Sequence, residues 1–452
     1  MRIELSLPQN FLDLLSATGG IFYGDIKKQV IRWICTDSRE CTEGDVFFAL
    51  DGKSFDGNDF IPEAIARGAI PIGRKVKRYG IRVDSGNEAL LSFASFYKRA
   101  LPRLMHTVAI TGSVGKTTTK EFLKKLSSTK YKTHATRGNY NNEIGAAITV
   151  LSSPIDTEIL ILELGMNHFG EIKQLSSALT PDVATITKIG TSHIGNLGSR
   201  ENIAKAKLEI TSGLDGKLIV PFGEPLLFRQ YPNSVYFSSK SSMADIAVLK
   251  NTFDQPELYI NKTIYSFFDF PLKTDHILEC LSAAISTALE IGIPPNEIIK
   301  GLRNIDSDIF RHRVIKSKFG YTILDDSYNA SYESIAAALS MANDIRGVNR
   351  RHVLIGDILE LGNMSYDIHY SLGKIIPNYG IRYLFLLGNY ANAIYEGAIN
   401  CQFDKSRIFI LNDLDAPERI SEFISNMINS DDLILVKGSH GMNLNRIVEL
   451  LR

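Results

Sequence analysis

The stretch His106 to Phe122, HTVAITGSVGKTTTKEF, holds residue types at a spacing that handles phosphate. Val108, Ala109 and Ile110 read as a short buried strand, and Gly112 and Gly115 break it. Lys116 to Leu126 then reads as a helix with Phe122, Leu123 and Leu126 on one face. Glycines let backbone N–H groups close around an anionic phosphate, and the helix start adds partial positive charge. Lys116 is expected to reach the outer phosphates and the Thr117 hydroxyl to hold Mg²⁺; Gly112, Ser113, Gly115 and Thr118 complete the nucleotide loop. This is the shorter TGSxGKT form, because the first glycine of the full pattern falls at Ile110. A structural glycine turn is the competing reading.

Other candidates sit at strand ends. Glu163 closes the apolar run EILILEL on the same sheet edge as the phosphate loop. A carboxylate there is costly unless it is paired or binds a cation, and Mg²⁺ prefers oxygen ligands. Glu163 and Thr117 are therefore a candidate metal pair; the alternative is a carboxylate capping a neighbouring helix. His193, at the tip of Gly190-Thr-Ser-His193, taken alone reads as a hydrogen-bonded structural residue. Lys205 and Lys207 on the next helix, taken alone, read as a solvated face. The amide-dense loop Gly138-Asn139-Tyr140-Asn141-Asn142 suits a polar substrate, or is a run of turns. Asp325-Asp326-Ser327-Tyr328-Asn329 suits ribose or metal-bound phosphate, or starts the next helix. Asp326 and Asn329 have no evident partner within their own unit. Thr36-Asp37-Ser38-Arg39 and Lys53 to Asn58 bring donors and acceptors to strand ends, making Ser38 and Arg39 substrate-facing candidates.

The elements that must position these groups follow from length and pattern. A chain of 452 residues makes about three domains at ~150 residues each. The expected division is 1–102, 103–306 and 307–452. The first unit shows strands at Val30 to Cys35 and Asp45 to Leu50 and a helix from Phe60 to Ala69. The second alternates strand and helix, the pattern of a parallel sheet covered on both faces. Its strands are Glu158 to Leu164 and Val183 to Thr187, with helices at Ala146 to Leu151, Glu201 to Gly213 and Asp275 to Ile291; residues 225 to 275 are the least legible. The third shows five strands, beginning at Tyr321, His352, Tyr383, Ile408 and Leu433, between helices such as Ser331 to Ile345 and Ala416 to Ile428. That is a doubly wound domain. The fold class is α/β throughout.

Fifty basic residues balance fifty acidic ones, which excludes a nucleic-acid coat or an anionic membrane as the default partner. Cys35, Cys41, Cys280 and Cys401 form no metal-type spacing and read as free thiols in a reducing compartment. Residues 1 to 20 lack the pattern of a secretory signal. No apolar run approaches the ~20 residues that span a bilayer. The expected location is the cytoplasm, without membrane insertion.

Together the motifs TGSVGKTTTKE, GNYNNEIG, ELGMNHFGEI, HIGNLGSRENIAKAKLEI, DDSYNA, GDILELG and VKGS, in this order, resemble the Mur ligase family, ATP-dependent amide-bond synthetases of bacterial cell-wall assembly. ELGMNHFGEI and DDSYNA look like the member that joins D-alanyl-D-alanine to UDP-N-acetylmuramoyl-tripeptide; the Asp-Asn-Pro-Arg stretch of the third-residue-adding relative is absent. The resemblance implies three domains: a small α/β domain for the uridine nucleotide, a central phosphate-loop domain for ATP and Mg²⁺, and a C-terminal Rossmann-like domain that closes over ATP. It implies two metal ions, with Glu163 and His193 as ligands, and a carbamate on Lys207 that supports the second ion. That reverses the solvated-face reading of Lys207. Asn139, Asn142 and Asn167 become substrate- or nucleotide-facing, and Arg313 and Asp326 reach the ATP, with Asn329 beside them. Lys116, His193 and Lys207 are the catalytic set, and a monomer is expected.

The chain departs from the family at two places. Where the family shows Gly-x-His-Asn-x-x-Asn near the adenine, this chain has Lys273-Thr-Asp-His276-Ile-Leu-Glu-Cys280, and His440 replaces the usual Arg after Lys437-Gly-Ser439. The alternatives are another amino-acid ligase of the family, a folate-polyglutamate-like ligase, or a nucleotide-binding member without ligase activity. The complete first domain counts against the folate enzymes. Intact Lys116, Glu163, His193 and Lys207 count against an inactive member.

Overall fold

The computed structural model describes residues 1–25, 29–52, 55–267, 270, 274–303, 305, 313–412 and 416–452, with Arg313 described in its backbone alone. Lys53, Ser54, Lys273 and the unit boundary between Asn304 and Asp308 lie outside the described residues. Three sheets organise the chain.

The first sheet runs Arg2–Asn10, Val30–Cys35, Val46–Phe48, Ile70–Gly73, Gly80–Arg82, Ile21–Tyr23. Its four inner strands are parallel and its two edges antiparallel. The helix Gly86–Ala100, absent from the sequence reading, joins this unit to the next. Ser85 caps it by accepting from the Glu88 N–H, and Leu90, Phe93, Ala94 and Tyr97 are buried along it. It packs on Glu143–Leu151 and Glu171–Leu179 of the middle unit. At its end the buried Lys98 ammonium donates to Leu179 O at 2.6 Å, Thr180 O at 3.2 Å and Thr180 Oγ1 at 3.1 Å.

The middle sheet has nine strands, in the order Thr263–Ser266, Pro256–Ile260, Ile246–Lys250, Val235–Ser238, Lys217–Pro221, Val183–Ile186, His106–Thr111, Ile159–Glu163, Thr133–Ala135. Seven are parallel, from Ile246–Lys250 to Thr133–Ala135. The two at the far edge form an antiparallel hairpin beside the expected parallel sheet. Its turn places Asn261 and Lys262 at φ +46° and +73°, the left-handed pair that a two-residue hairpin needs. Asn-Lys is a weak version of that signal, which is why residues 225 to 275 are the least legible, although a short strand is readable at Leu258-Tyr-Ile and lies within Pro256–Ile260. The expected helix Glu201 to Gly213 is α-helical over Arg200–Leu208 and tightens to a 3₁₀ turn over Glu209–Gly213. Two central registers matter for the site. Ile110 pairs with Glu163 and Thr111 with Ile186, so three chain segments leave the sheet side by side at its C-terminal edge.

The third sheet runs Arg313–Lys316, Thr322–Asp326, Leu433–Lys437, Arg351–Ile355, Ile381–Leu386, Ile408–Ile410. The five parallel strands are those of the sequence reading. Arg313–Lys316 is an added antiparallel edge strand, and the helices Ser365–Ile375, Ala391–Asn400 and Leu444–Leu451 are further additions. Among the described residues no helix is long and apolar enough to cross a membrane.

Lys98 makes its joint testable. Truncation leaves three buried or half-buried acceptors without their donor, a loss of ~1–3 kcal/mol. Lys98→Ala should lower the denaturant midpoint of the joined units, and an unchanged midpoint would show that the bonds hold nothing.

Candidate functional site

The site begins where His106–Thr111 ends. Gly112 has φ +149°, and a Cβ there would lie 1.9 Å from Thr187 Oγ1. That hydroxyl is needed, since it donates to Val114 O at 2.6 Å and so folds the loop onto the neighbouring strand end. Gly115, at φ +88°, is the N-cap of the helix Lys116–Ser127 and supplies no side-chain cap. The first helical N–H groups and the positive end of the helix dipole thus open toward the cleft. Lys116 folds back on the loop, its Nζ donating to Gly112 O at 2.7 Å. This cradle fits a polyphosphate: glycine where a side chain would collide, an uncapped helix start, and a lysine at its mouth.

Thr117 and Glu163 come together as expected. The Thr117 hydroxyl donates to Glu163 Oε2 at 2.6 Å, and Glu163 is only 1% exposed. Its other oxygen accepts from Asn141 Nδ2 at 3.0 Å. Lys120, fully buried, stands 3.8 Å away and donates to Thr136 O at 2.7 Å. The helix-capping alternative for Glu163 is thereby set aside, since its partners are a hydroxyl and a side-chain amide. Among the described residues no group of three or more His, Cys, Asp or Glu is gathered to hold a metal. The oxygen pair of Thr117 and Glu163 is nonetheless the donor type that Mg²⁺ takes.

His193 and Lys207 line the same cleft. His193 has φ +62°, and its Nδ1 lies 2.6 Å from Glu360 Oε2 of the third unit. Burial, and then the charge of Lys116, lower its pKa against the opposing pull of Glu360. Lys207 is buried while Lys205, two positions earlier, is exposed, so the solvated face belongs to Lys205 alone. Burial and the charge of Lys116 hold the Lys207 pKa well below the usual lysine value. Among the described residues it has no hydrogen-bond or ion-pair partner.

The third unit closes the cleft. Lys437, nearly fully buried, donates to Asp326 Oδ2 and to Asn329 O at 2.9 Å. This corrects the expectation that Asp326 and Asn329 lack a partner in their own unit; the lysine on the adjacent strand supplies it. Asn139 Nδ2 donates to the Tyr328 hydroxyl across the cleft. Asn142 accepts from Gly145 N at 2.8 Å, capping the helix Glu143–Leu151, while still facing the cleft. Asn167 also faces it, with its N–H on Glu171 Oε2 at 2.6 Å.

Ser113 and Thr118 line the cleft too; Gly112 supports the loop from behind. The side chain of Arg313 lies outside the described residues. Ser38 and Arg39 are not brought to this cleft. Ser38 Oγ donates to Glu63 Oε2 at 2.6 Å, and Arg39 grips Asp37 with Nε at 2.9 Å and Nη2 at 2.6 Å, holding that carboxyl down to about 2. Cys280 is buried beneath the phosphate loop, where a Cβ on Gly115 would be 2.8 Å from its Sγ. Burial pushes its thiol up to about 12, so it is neutral packing, and its helix neighbour His276 faces the cleft. His440 packs edge-on against Tyr328 with ring centroids 5.7 Å apart. Asn141 and Lys437 were not singled out from sequence. Asn141 was in view inside the amide loop, and Lys437 ends a buried strand, the same signal that marked Glu163.

Comparison with known proteins is consistent along the chain. The family model described as Mur ligase middle domain matches residues 110–288, Mur ligase glutamate ligase domain matches 311–440, and Mur ligase family catalytic domain matches 30–73. The chain is 35% identical over 434 residues to the UDP-N-acetylmuramoyl-tripeptide–D-alanyl-D-alanine ligase of Bacillus subtilis, covering 94% of this chain and 93% of that protein. Among solved structures it resembles MurF from Acinetobacter baumannii, with TM-score 0.86 and 27% identity over 99% of this chain and 100% of that one. It also resembles MurF of Thermotoga maritima in complex with ADP, with TM-score 0.78 and 26% identity over 92% and 96%.

The glycine cradle carries its own test. Gly112→Ala forces a methyl into Thr187 Oγ1 and should cost ~1–3 kcal/mol of overpacking. Melting temperature should fall and ADP binding should weaken; full retention of both would show that the loop has room to spare.

Proposed function

The chain belongs to the Mur ligase family, and from that premise we propose that it is the ATP-dependent ligase joining D-alanyl-D-alanine to UDP-N-acetylmuramoyl-tripeptide in peptidoglycan precursor synthesis. The observation that carries this reading is one cleft in which the phosphate loop and the Thr117–Glu163 pair of the middle unit face Asp326, Asn329 and Lys437 of the third. In this reading residues 1–102 bind the uridine nucleotide through the Ser38 and Arg39 loop, 103–306 bind ATP, and 307–452 close over it through Arg313, Asp326 and Asn329. In this reading the protein works in the cytoplasm as a monomer.

The terminal carboxylate of the tripeptide attacks the γ-phosphorus of ATP. ADP leaves, and an acyl phosphate forms. The amine of D-alanyl-D-alanine attacks the activated carbonyl, gives up a proton, and phosphate departs. Lys116 and the helix N–H groups offset charge on the transferring phosphoryl group. Mg²⁺, held by Thr117, Glu163 and His193, supplies further charge neutralisation when bound. Asn139, Asn142 and Asn167 orient the reactants, and the third unit excludes water from the acyl phosphate. Phosphate release should require ATP, the nucleotide-linked tripeptide and D-alanyl-D-alanine together. Release with another amino acid in place of the dipeptide would identify a different ligase of the family; no release at all would identify a nucleotide-binding member. Lys116→Ala should abolish release while the melting temperature holds, because the lysine meets ligand rather than core. Equal turnover by that variant would remove the phosphate-loop assignment.

Lys207 deepens the reading. A buried lysine with no partner among the described residues, its pKa held low by burial and by Lys116, spends more of its time as the neutral amine. A neutral amine adds carbon dioxide and loses a proton to give a carbamate, turning a group that repels metal into one that supports a second Mg²⁺. Lys207→Ala should lose most activity, with acetate restoring part of it by occupying the vacated space. Lys205→Ala, exposed on another face, should cost little. Full activity in Lys207→Ala, or sensitivity at Lys205 instead, would falsify the carbamate.

A further inference from the structure

Besides the Asn139–Tyr328 bond across the cleft, a group of contacts between the middle and third units gathers on one short segment, Gly190 to Gly195. Glu333, at the start of the helix Tyr332–Asp344, accepts from Thr191 N at 2.9 Å and Thr191 Oγ1 at 3.1 Å. Its carboxylate lies so close over Gly190 that a Cβ there would be 2.7 Å from Glu333 Cδ. Glu360 holds the other end: its carbonyl accepts from Gly195 N at 3.0 Å, and its carboxylate meets His193 Nδ1 at 2.6 Å.

Two features set the Glu360–His193 pair apart from an ordinary surface ion pair. Both residues are left-handed, at φ +64° and +62°. Side chains other than glycine adopt that conformation at a cost, and it persists where surrounding structure holds it. The pair also joins two units while His193 faces the cleft that holds Glu163 and Thr117. A carboxylate can only accept, so the proton of the pair belongs on Nδ1. In the neutral ring Nε2 then carries the lone pair, the form that binds a metal.

We propose that Glu360 is a positioning residue that fixes the tautomer and angle of His193 from across the unit interface, so that the cation site of the middle unit is completed only when the third unit docks. This rests on the ligase reading for the identity of the cation. It adds a coupling: closure and metal affinity become one event, because the group that orients a ligand of the middle unit is carried by the third. A carboxylate behind a ligating histidine sets ring orientation and basicity, and its removal typically weakens metal binding by ~10–100-fold.

The test uses the full chain with ¹⁵N-labelled histidine, the His193 signal being assigned by its loss in His193→Gln. In the parent, His193 should carry its proton on Nδ1. Glu360→Ala should move the ring toward the Nε2–H tautomer and weaken Mn²⁺ binding in the presence of ADP, read by electron paramagnetic resonance, by ~10-fold or more. Glu360→Gln should stay near the parent in both readouts, because its amide oxygen still accepts from Nδ1–H. A parent ring protonated on Nε2, or a Glu360→Ala variant with unchanged tautomer and unchanged Mn²⁺ affinity, would overturn the proposal. The tautomer measurement needs neither metal nor turnover, so it decides the pairing even where the ligase assay fails.

Discussion

The burial of Glu163 is the constraint around which the middle of this protein is arranged. A carboxylate at 1% exposure is tolerable only if its oxygens are satisfied. The chain meets that need with parts that are also the parts of the cleft. One oxygen takes the hydroxyl of Thr117, which fixes the first turn of the phosphate-loop helix against the strand Ile159–Glu163. The other takes the amide of Asn141, which draws the loop 139–142 over the strand end. Lys120 balances the charge from beneath while tethered to Thr136 O. Loop, helix and strand are thus locked by one buried carboxyl group.

The same economy explains what sequence could and could not reveal. The phosphate loop was legible because its chemistry forces local signals: glycines at +149° and +88°, an apolar strand before them and an amphipathic helix after. Lys207 was legible only through family resemblance. The helix Arg200–Leu208 carries Lys205 and Lys207 in a context that reads as solvent-exposed, and burial of one but not the other is decided by the tertiary fold around the helix. Lys437 shows the opposite failure. A charged residue closing LILVK is the signal that exposed Glu163, yet its partner, Asp326, lies 111 positions away, and only the parallel pairing of their strands joins them. The helix Gly86–Ala100 was missed although its exposed Glu88, Ser92 and Arg99 share one face opposite Leu90, Phe93, Ala94 and Tyr97, so its amphipathic period was there to read.

Lys116 lowers the proton affinity of both His193 and Lys207. Burial is the larger cause at both, and each shift is toward the neutral form. A bound polyphosphate reverses that balance at Lys116. Its negative charge offsets the lysine, so the field on His193 and Lys207 changes on nucleotide entry rather than remaining a fixed property of the fold.

The two joints that flank the middle unit differ in kind, and the difference has a mechanical meaning. Toward the first unit, Tyr97, Phe93 and the buried Lys98 bonds to Leu179 and Thr180 form an interior joint. Separating it would expose apolar surface and strand a buried ammonium, so that joint is rigid at ordinary thermal energy. Toward the third unit, the contacts at Thr191 and His193 are carboxylates on hydroxyl, amide and imidazole groups, and Glu360 is half-exposed. Water can replace those partners at little net cost. At these residues the joint to the third unit is the more polar of the two, and it runs through the histidine of the cleft.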